Sequence, residues 1–148
     1  MSGPSALKVD AVQRRLVLIS ERVDDLRQLG EVTTERLAAD WVVRAAVERV
    51  LTQLVELAAQ ANTHVVVACG RVPPTEYRQS FSAAAELGLI TAELATKVQA
   101  SAGLRNILVH QYLDIDLGIV ASAVSEAIDD YSEYVRQVAR WLTDRAGD

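Results

Sequence analysis

Between Asp40 and Gly70 the chain runs for almost thirty residues without a proline or a glycine. Val43, Val47, Val50, Leu54, Leu57, Ala61 and Val65 recur there at steps of three and four. That spacing matches the turn of an α-helix and places these side chains along one seam. Asp40 can cap its start, and Gly70 followed by Pro73 and Pro74 stops it beyond Cys69. A helix of this length spans about 40 Å at roughly 1.5 Å per residue. Any fold containing it must use it as a spine. "VVVACG" is the nearest thing to a strand, but the helical period upstream favours the end of the same long helix.

The flanking segments carry the same period. Val12, Leu16, Ile19, Val23 and Leu26 form a seam that ends at Gly30, with Arg14, Arg15, Glu21, Arg22, Asp24 and Arg27 mostly on the solvated side. Thr33 or Thr34 can cap the next segment, and a short turn from Glu35 to Ala39 leads to Asp40. Thr75 opens a shorter helix with Tyr77, Phe81 and Ala84 or Ala85 inward, closed by Gly88. Thr91, with Glu93 soon after, starts another through Leu94 and Val98 towards Leu108. "QYLDID" has no helical period and reads as a connection. Asp116 can cap a last helix with the seam Val120, Val124, Ala127, Tyr131, Val135, Val138 and Leu142. No segment alternates in steps of two, so no sheet is expected. Half of the 148 residues are hydrophobic and only 5% are aromatic, a mixture that suits close helix packing. The expected fold is all-α: one domain over residues 1–148, a four- to five-helix bundle, predominantly up-and-down.

Charge and cysteine content narrow the function classes. A formal net charge of −5 argues against a general polyanion binder, although a focused arginine cluster can still hold a phosphate. One cysteine, Cys69, excludes an intrachain disulfide framework and fits a reducing compartment. No signal peptide is seen near the start, and no apolar run reaches the roughly 20 residues of a membrane span. A soluble, cytoplasmic protein without membrane association is expected.

The chemistry-bearing stretch is "RNILVHQYLDID", Arg105 to Asp116, which holds one of two histidines. Arg105 and Tyr112 lie seven apart and would share a helix face, as would Asn106 and His110 at four apart. Arg105 and His110, five apart, diverge on a straight helix. They converge if the helix frays near His110 or if a second subunit contributes across an interface. Such a set suits metal-independent phosphodiester cleavage. Imidazole exchanges protons near neutral pH, guanidinium holds phosphate charge, and asparagine can bind a phosphate or ribose oxygen. Two facing histidines could deprotonate the ribose 2′-hydroxyl and protonate the leaving 5′-oxygen. The same residues also suit an ordinary helix end, where cations meet the last carbonyls and the dipole. Spacing does not choose between these readings.

The remaining candidates are weaker. His64 reads as a satisfied, partly buried histidine, with Asn62 facing elsewhere. Cys69, His64 and His110 lack the paired spacing of a zinc site, so no metal is expected. "ACGRVPP" is not a phosphate loop, and no cofactor is expected. Ser80 and Ser82 have no nearby base. Glu48, Glu56, Asp129 and Asp130 read as solvated helix faces.

Taken together, "LRNILVHQYLDID" resembles the signature of the HEPN superfamily, specifically its HepT-like toxins, whose motif is Arg-x4-His-x-Tyr. "RAAVERVLTQLVELAAQANTHVV", "PPTEYRQSF" and "ELGLI" followed by "SAGLRN" resemble that family's central helix, its following turn and its approach to the motif. The resemblance is close over roughly residues 40 to 118. It implies an all-helical, HEPN-like homodimer acting as a metal-independent ribonuclease toxin of a prokaryotic toxin–antitoxin pair, on RNA rather than DNA. The implied partner is an MntA-like nucleotidyltransferase that silences the toxin by attaching AMP to the motif tyrosine. Arg105 and His110 become catalytic, Asn106 supporting, and Tyr112 the modified residue. The alternative is a non-catalytic helical dimer that binds a nucleotidyltransferase or nucleotide. For RNA, Arg71, Arg78 or Lys97 would have to supplement the motif, and nothing in the chain says which of them converge.

Overall fold

The computed structural model describes residues 7–110 and 114–146. The first seam behaves as its spacing demands: Val12, Leu16, Ile19, Val23 and Leu26 are all buried on α1 (Val9–Gln28). Gly30 leaves that helix at φ 72°, a left-handed conformation that favours glycine.

The turn expected after it is a helix in its own right, α2 (Thr34–Ala39), capped by Thr33 Oγ1, which accepts from the Arg36 backbone N–H. The Arg36 guanidinium donates back to the Leu29 and Glu31 carbonyls, and Leu37 is buried, so one and a half turns hold without a long apolar seam. Counting α2 brings the described residues to six helices rather than four or five, with no strand.

α3 (Trp41–Ala68) begins where Asp40 Oδ1 accepts from the backbone N–H groups of Val42 and Val43, at 3.1 and 3.2 Å. It touches every other helix of the described chain. That central position changes which residues it buries. Val47, Leu54, Ala61 and Val65 of the expected seam are buried, while Val43, Val50 and Leu57 are only half-buried. Leu51, Val55, Ala58, Ala59 and Val66 are buried as well, because neighbours cover several sides of the helix. The small alanines allow close approach.

α4 (Tyr77–Glu86) starts two residues later than Thr75. The Gln79 side-chain oxygen accepts from both the backbone N–H and the hydroxyl of Thr75, tying down the entry without a true N-cap side chain. Phe81 and Ala84 face the core. α5 (Ala92–His110) is capped by Thr91, whose Oγ1 accepts from Leu94 N–H. α6 (Leu117–Ala146) is capped by Asp116, whose Oδ1 accepts from Gly118 N–H at 2.9 Å.

In α6 the buried face includes Tyr134, with Val135 displaced to a half-buried position. The Tyr134 hydroxyl, fully buried, donates to Asn62 Oδ1 at 2.6 Å, with the Ala58 carbonyl at 3.1 Å. Asn62 Nδ2 in turn reaches Ser80 Oγ, which donates to the Tyr77 carbonyl. The phenol ring packs edge-on to Phe81, with centroids 6.4 Å apart at 87°. This buried chain ties α3, α4 and α6 together. Burial pushes the Tyr134 phenol well above its ordinary pKa, so it serves as a neutral strut.

Candidate functional site

Arg105, Asn106 and His110 sit on α5, which is helical without a break from Ala92 up to His110. Fraying before His110 is therefore not what relates it to Arg105. The arginine turns inward, with its side chain 17% exposed, while His110 is exposed. No hydrogen bond joins the two among the described residues. A single copy presents the two groups on consecutive turns, pointing apart. Tyr112 lies outside the described residues.

Arg105 is held on three sides. Its Nη2 donates to Glu56 Oε2 on α3 at 3.2 Å. Its Nη1 donates to Asn106 Oδ1 at 3.3 Å. Its guanidinium carbon lies 4.7 Å from the centre of the Tyr77 ring, a cation–π contact. The buried Nε has no protein partner among the described residues. A planar guanidinium fixed this way is ready for phosphate oxygens and need not be ordered when one arrives.

Glu56 therefore corrects the expectation of a solvated face: it is half-buried and pairs with Arg105. Glu48 pairs with Arg44 on its own helix, at 2.7 Å. The signal for Glu56 lay in its neighbours, since Leu54, Val55, Ala58 and Ala59 around it are all buried. A carboxylate among such residues needs a cation.

Beside this cluster lies a groove of about 890 Å³, lined by residues of α1, α3, α4 and α5, Asn106 among them. His64 lines it, partly buried as expected, but with no protein hydrogen bond among the described residues where a satisfied imidazole was expected. Desolvation and the nearby charges of Arg15 and Lys8 hold its pKa below the ordinary imidazole value. Of the three cations considered for RNA, Arg78 lines this groove. Arg71 pairs with Glu86, and Lys97 lines a separate recess between α5 and α6. Among the described residues no cluster of His, Cys, Asp and Glu could hold a metal ion, and no helix is long and apolar enough to cross a membrane.

The described residues form helices and connections only, with the arginine and the histidine on one helix packed against a central spine, and comparison with known proteins gives this arrangement its family. Residues 19–138 match the family model described as "Ribonuclease HepT-like". The tRNA nuclease HepT of Aphanizomenon flos-aquae is 32% identical over 134 residues, covering 88% of this chain and 89% of that protein. The mRNA nuclease HepT of Shewanella oneidensis is 36% identical over 62 residues, covering 42% of this chain and 47% of that protein. Among solved structures, the tri-AMPylated Shewanella oneidensis HEPN toxin in complex with MNT antitoxin superposes with a TM-score of 0.80 at 23% identity, covering 88% of this chain and 98% of that one. YutE, a cytosolic protein of unknown function from Bacillus subtilis, superposes with a TM-score of 0.79 at 14% identity, covering 96% and 95%. The chain belongs to the HepT-like ribonuclease family.

Proposed function

We propose that this protein is the toxin of a prokaryotic toxin–antitoxin pair, a cytoplasmic, metal-independent endoribonuclease whose active cleft forms between two copies of the chain. The observation that carries the reading is the Arg105 guanidinium, held half-buried by Glu56, Asn106 and Tyr77 one turn before the exposed His110, in a chain of the HepT-like family. Arg105 turns inward and His110 is exposed on the same helix, and in this reading a second copy supplies the facing histidine. One His110 takes the proton from the ribose 2′-hydroxyl as the oxygen attacks phosphorus. The other gives a proton to the departing 5′-oxygen. Arg105 meets the charge gathering on the phosphoryl oxygens, and Asn106 orients it.

The partner in this reading is an MntA-like nucleotidyltransferase antitoxin. AMP attached to Tyr112, two residues beyond His110, would place a negative phosphodiester and an adenosine where the RNA phosphate must sit. Charge competition and bulk then silence the enzyme together. The relatives support this reading: one is named a tRNA nuclease, and another is an AMPylated toxin in complex with its antitoxin.

The test is cleavage of RNA in EDTA by the wild-type chain and by His110→Ala, with dimerisation followed by light scattering. Cleavage abolished in the variant while helicity is retained supports the proposal. Equal cleavage by both proteins removes it. Incubation with the neighbour-encoded transferase and ATP should add one or more AMP masses to the wild type and none to Tyr112→Phe.

A further inference from the structure

Charge on this acidic chain is not evenly spread. Lys8, Arg15 and Arg78 come from α1, its N-terminal flank and α4, yet all line the one groove that also contains Asn106. Among the described residues none of the three has a carboxylate within ion-pair distance, whereas Arg22, Arg27, Arg44, Arg71 and Arg136 each do. Among the described residues Glu76 is the single carboxylate on the groove wall.

Two of these cations are held in place. Arg15 Nε donates to Gln60 Oε1 and its Nη1 to the Ala11 carbonyl, both at 3.0 Å, so the head group is fixed by neutral partners that leave its charge uncompensated. Arg78 lies against Gly103 of α5, where a Cβ would stand only 2.5 Å from Arg78 Nη2. A glycine inside a helix is unfavourable, and here its missing side chain is the seat of a guanidinium. From the same helix the Gln99 side-chain amide donates to the Arg78 carbonyl at 3.2 Å, which holds α4 against α5 at this point.

We propose that this groove is the track for single-stranded RNA flanking the cleaved link, with Arg15, Arg78 and Lys8 taking successive backbone phosphates and His64 facing the strand between them. The proposal rests on the ribonuclease reading for the location of the cleaved link and on the groove's own chemistry for the rest. Asn106 belongs to both the groove wall and the Arg105 cluster, so a strand leaving the motif enters the groove directly. A recess of this kind accommodates unpaired nucleotides, whereas duplex RNA is recognised across broad faces spanning many base pairs. Burial first, then the nearby charges of Arg15 and Lys8, lower the His64 pKa, as its place beside these cations requires.

The experiment uses the full-length chain carrying His110→Ala, so that RNA is not cut, with a fluorescein-labelled single-stranded oligoribonucleotide in EDTA. Anisotropy titrations across 50–200 mM NaCl compare this protein with the same protein bearing Arg15→Gln and Arg78→Gln, or Arg71→Gln. A parallel titration with labelled ATP runs on each protein. The double substitution should weaken RNA binding at least about tenfold and flatten the salt slope by roughly 0.7 for each phosphate neutralised by the parent alone. Arg71→Gln should bind as the parent does, and Arg78→Lys should retain most of the slope. Unchanged affinity and slope in the double variant would overturn the proposal. So would loss of ATP binding with RNA affinity intact, which would make the groove a free-nucleotide pocket. If the parent binds RNA through these residues while wild type never cleaves it, the track stands and the nuclease reading falls.

Discussion

Two polar clusters are built on α3, and they are completed in opposite ways. Around Asn62 every group finds a partner within the protein: the Tyr134 hydroxyl, Ser80 and the Ala58 carbonyl close the set, and Asn62, Ser80 and Tyr134 are all buried. Around Glu56, nearly two turns earlier, the set is left open. Arg105 is held by Glu56 yet stays partly exposed, Asn106 is exposed, and the neighbouring groove carries uncompensated cations. A closed network uses its hydrogen bonds to fix the relative position of helices. An open one keeps donors available for a ligand. The first should respond to substitution in stability and the second in activity.

The sharpest way to break that contrast is His110→Ala. Loss of a general acid–base group lowers cleavage about 10²–10⁴-fold, while the melting temperature of a variant at an exposed site should stay nearly unchanged. A large fall in melting temperature would place His110 among the structural residues instead. Tyr134→Phe comes next and should do the reverse. It leaves the Asn62 carbonyl buried without its donor, at a cost of about 1–3 kcal/mol. For a chain of this size that lowers the melting temperature by about 2–4 °C per kcal/mol. Cleavage per folded molecule should hold, measured well below the transition.

Glu56→Gln sharpens the comparison where the clusters come nearest in character. The amide keeps the shape and can still accept from Arg105, but it removes the opposing charge. Turnover should fall about tenfold with a smaller change in KM, because the guanidinium loses its anchor and not its reach to substrate. Stability should change by about 1 kcal/mol or less, as befits a partly exposed pair. A loss of stability without a loss of turnover would assign the pair to the fold.

The smallest effect concerns His64. Its folded pKa lies below the ordinary value of 6.5, so the unfolded chain takes up its proton first as the solution is acidified. Above that ordinary value both states hold a neutral imidazole, and stability is fully present. It should then decline as pH falls through 6.5 and towards the lower folded value. His64→Gln should flatten that acid limb in chemical denaturation, and an unaltered limb would mean that His64 titrates as it does in the unfolded chain.

Much of the scaffold was legible because helix periodicity is local. The seam of α1, the Asp40, Thr91 and Asp116 caps and the stop at Gly70 all arise from neighbours in the chain. α2 was underestimated because six residues carry too little period, and its stability comes from Arg36 reaching back to the carbonyls of Leu29 and Glu31. In α3, period alone picked one seam where several sides are covered. Tyr134 was missed because Val135 competes for the same face, and only the buried partner Asn62, 72 residues away, favours the phenol. The motif was legible through its family resemblance, where spacing alone left an ordinary helix end equally open, and its setting was not legible at all.

What the residues determined by themselves was the set of helices, their ends and the presence of an Arg-x4-His-x-Tyr motif, since each depends on interactions within a turn or two. What only the tertiary structure decided was which polar groups meet. It joined Glu56 to Arg105 across 49 residues and seated Arg78 against Gly103. It also gathered Lys8, Arg15 and His64 onto one groove. Charge pairing acts through space at a few ångströms, and distance along the chain carries almost no information about it until the helices have packed.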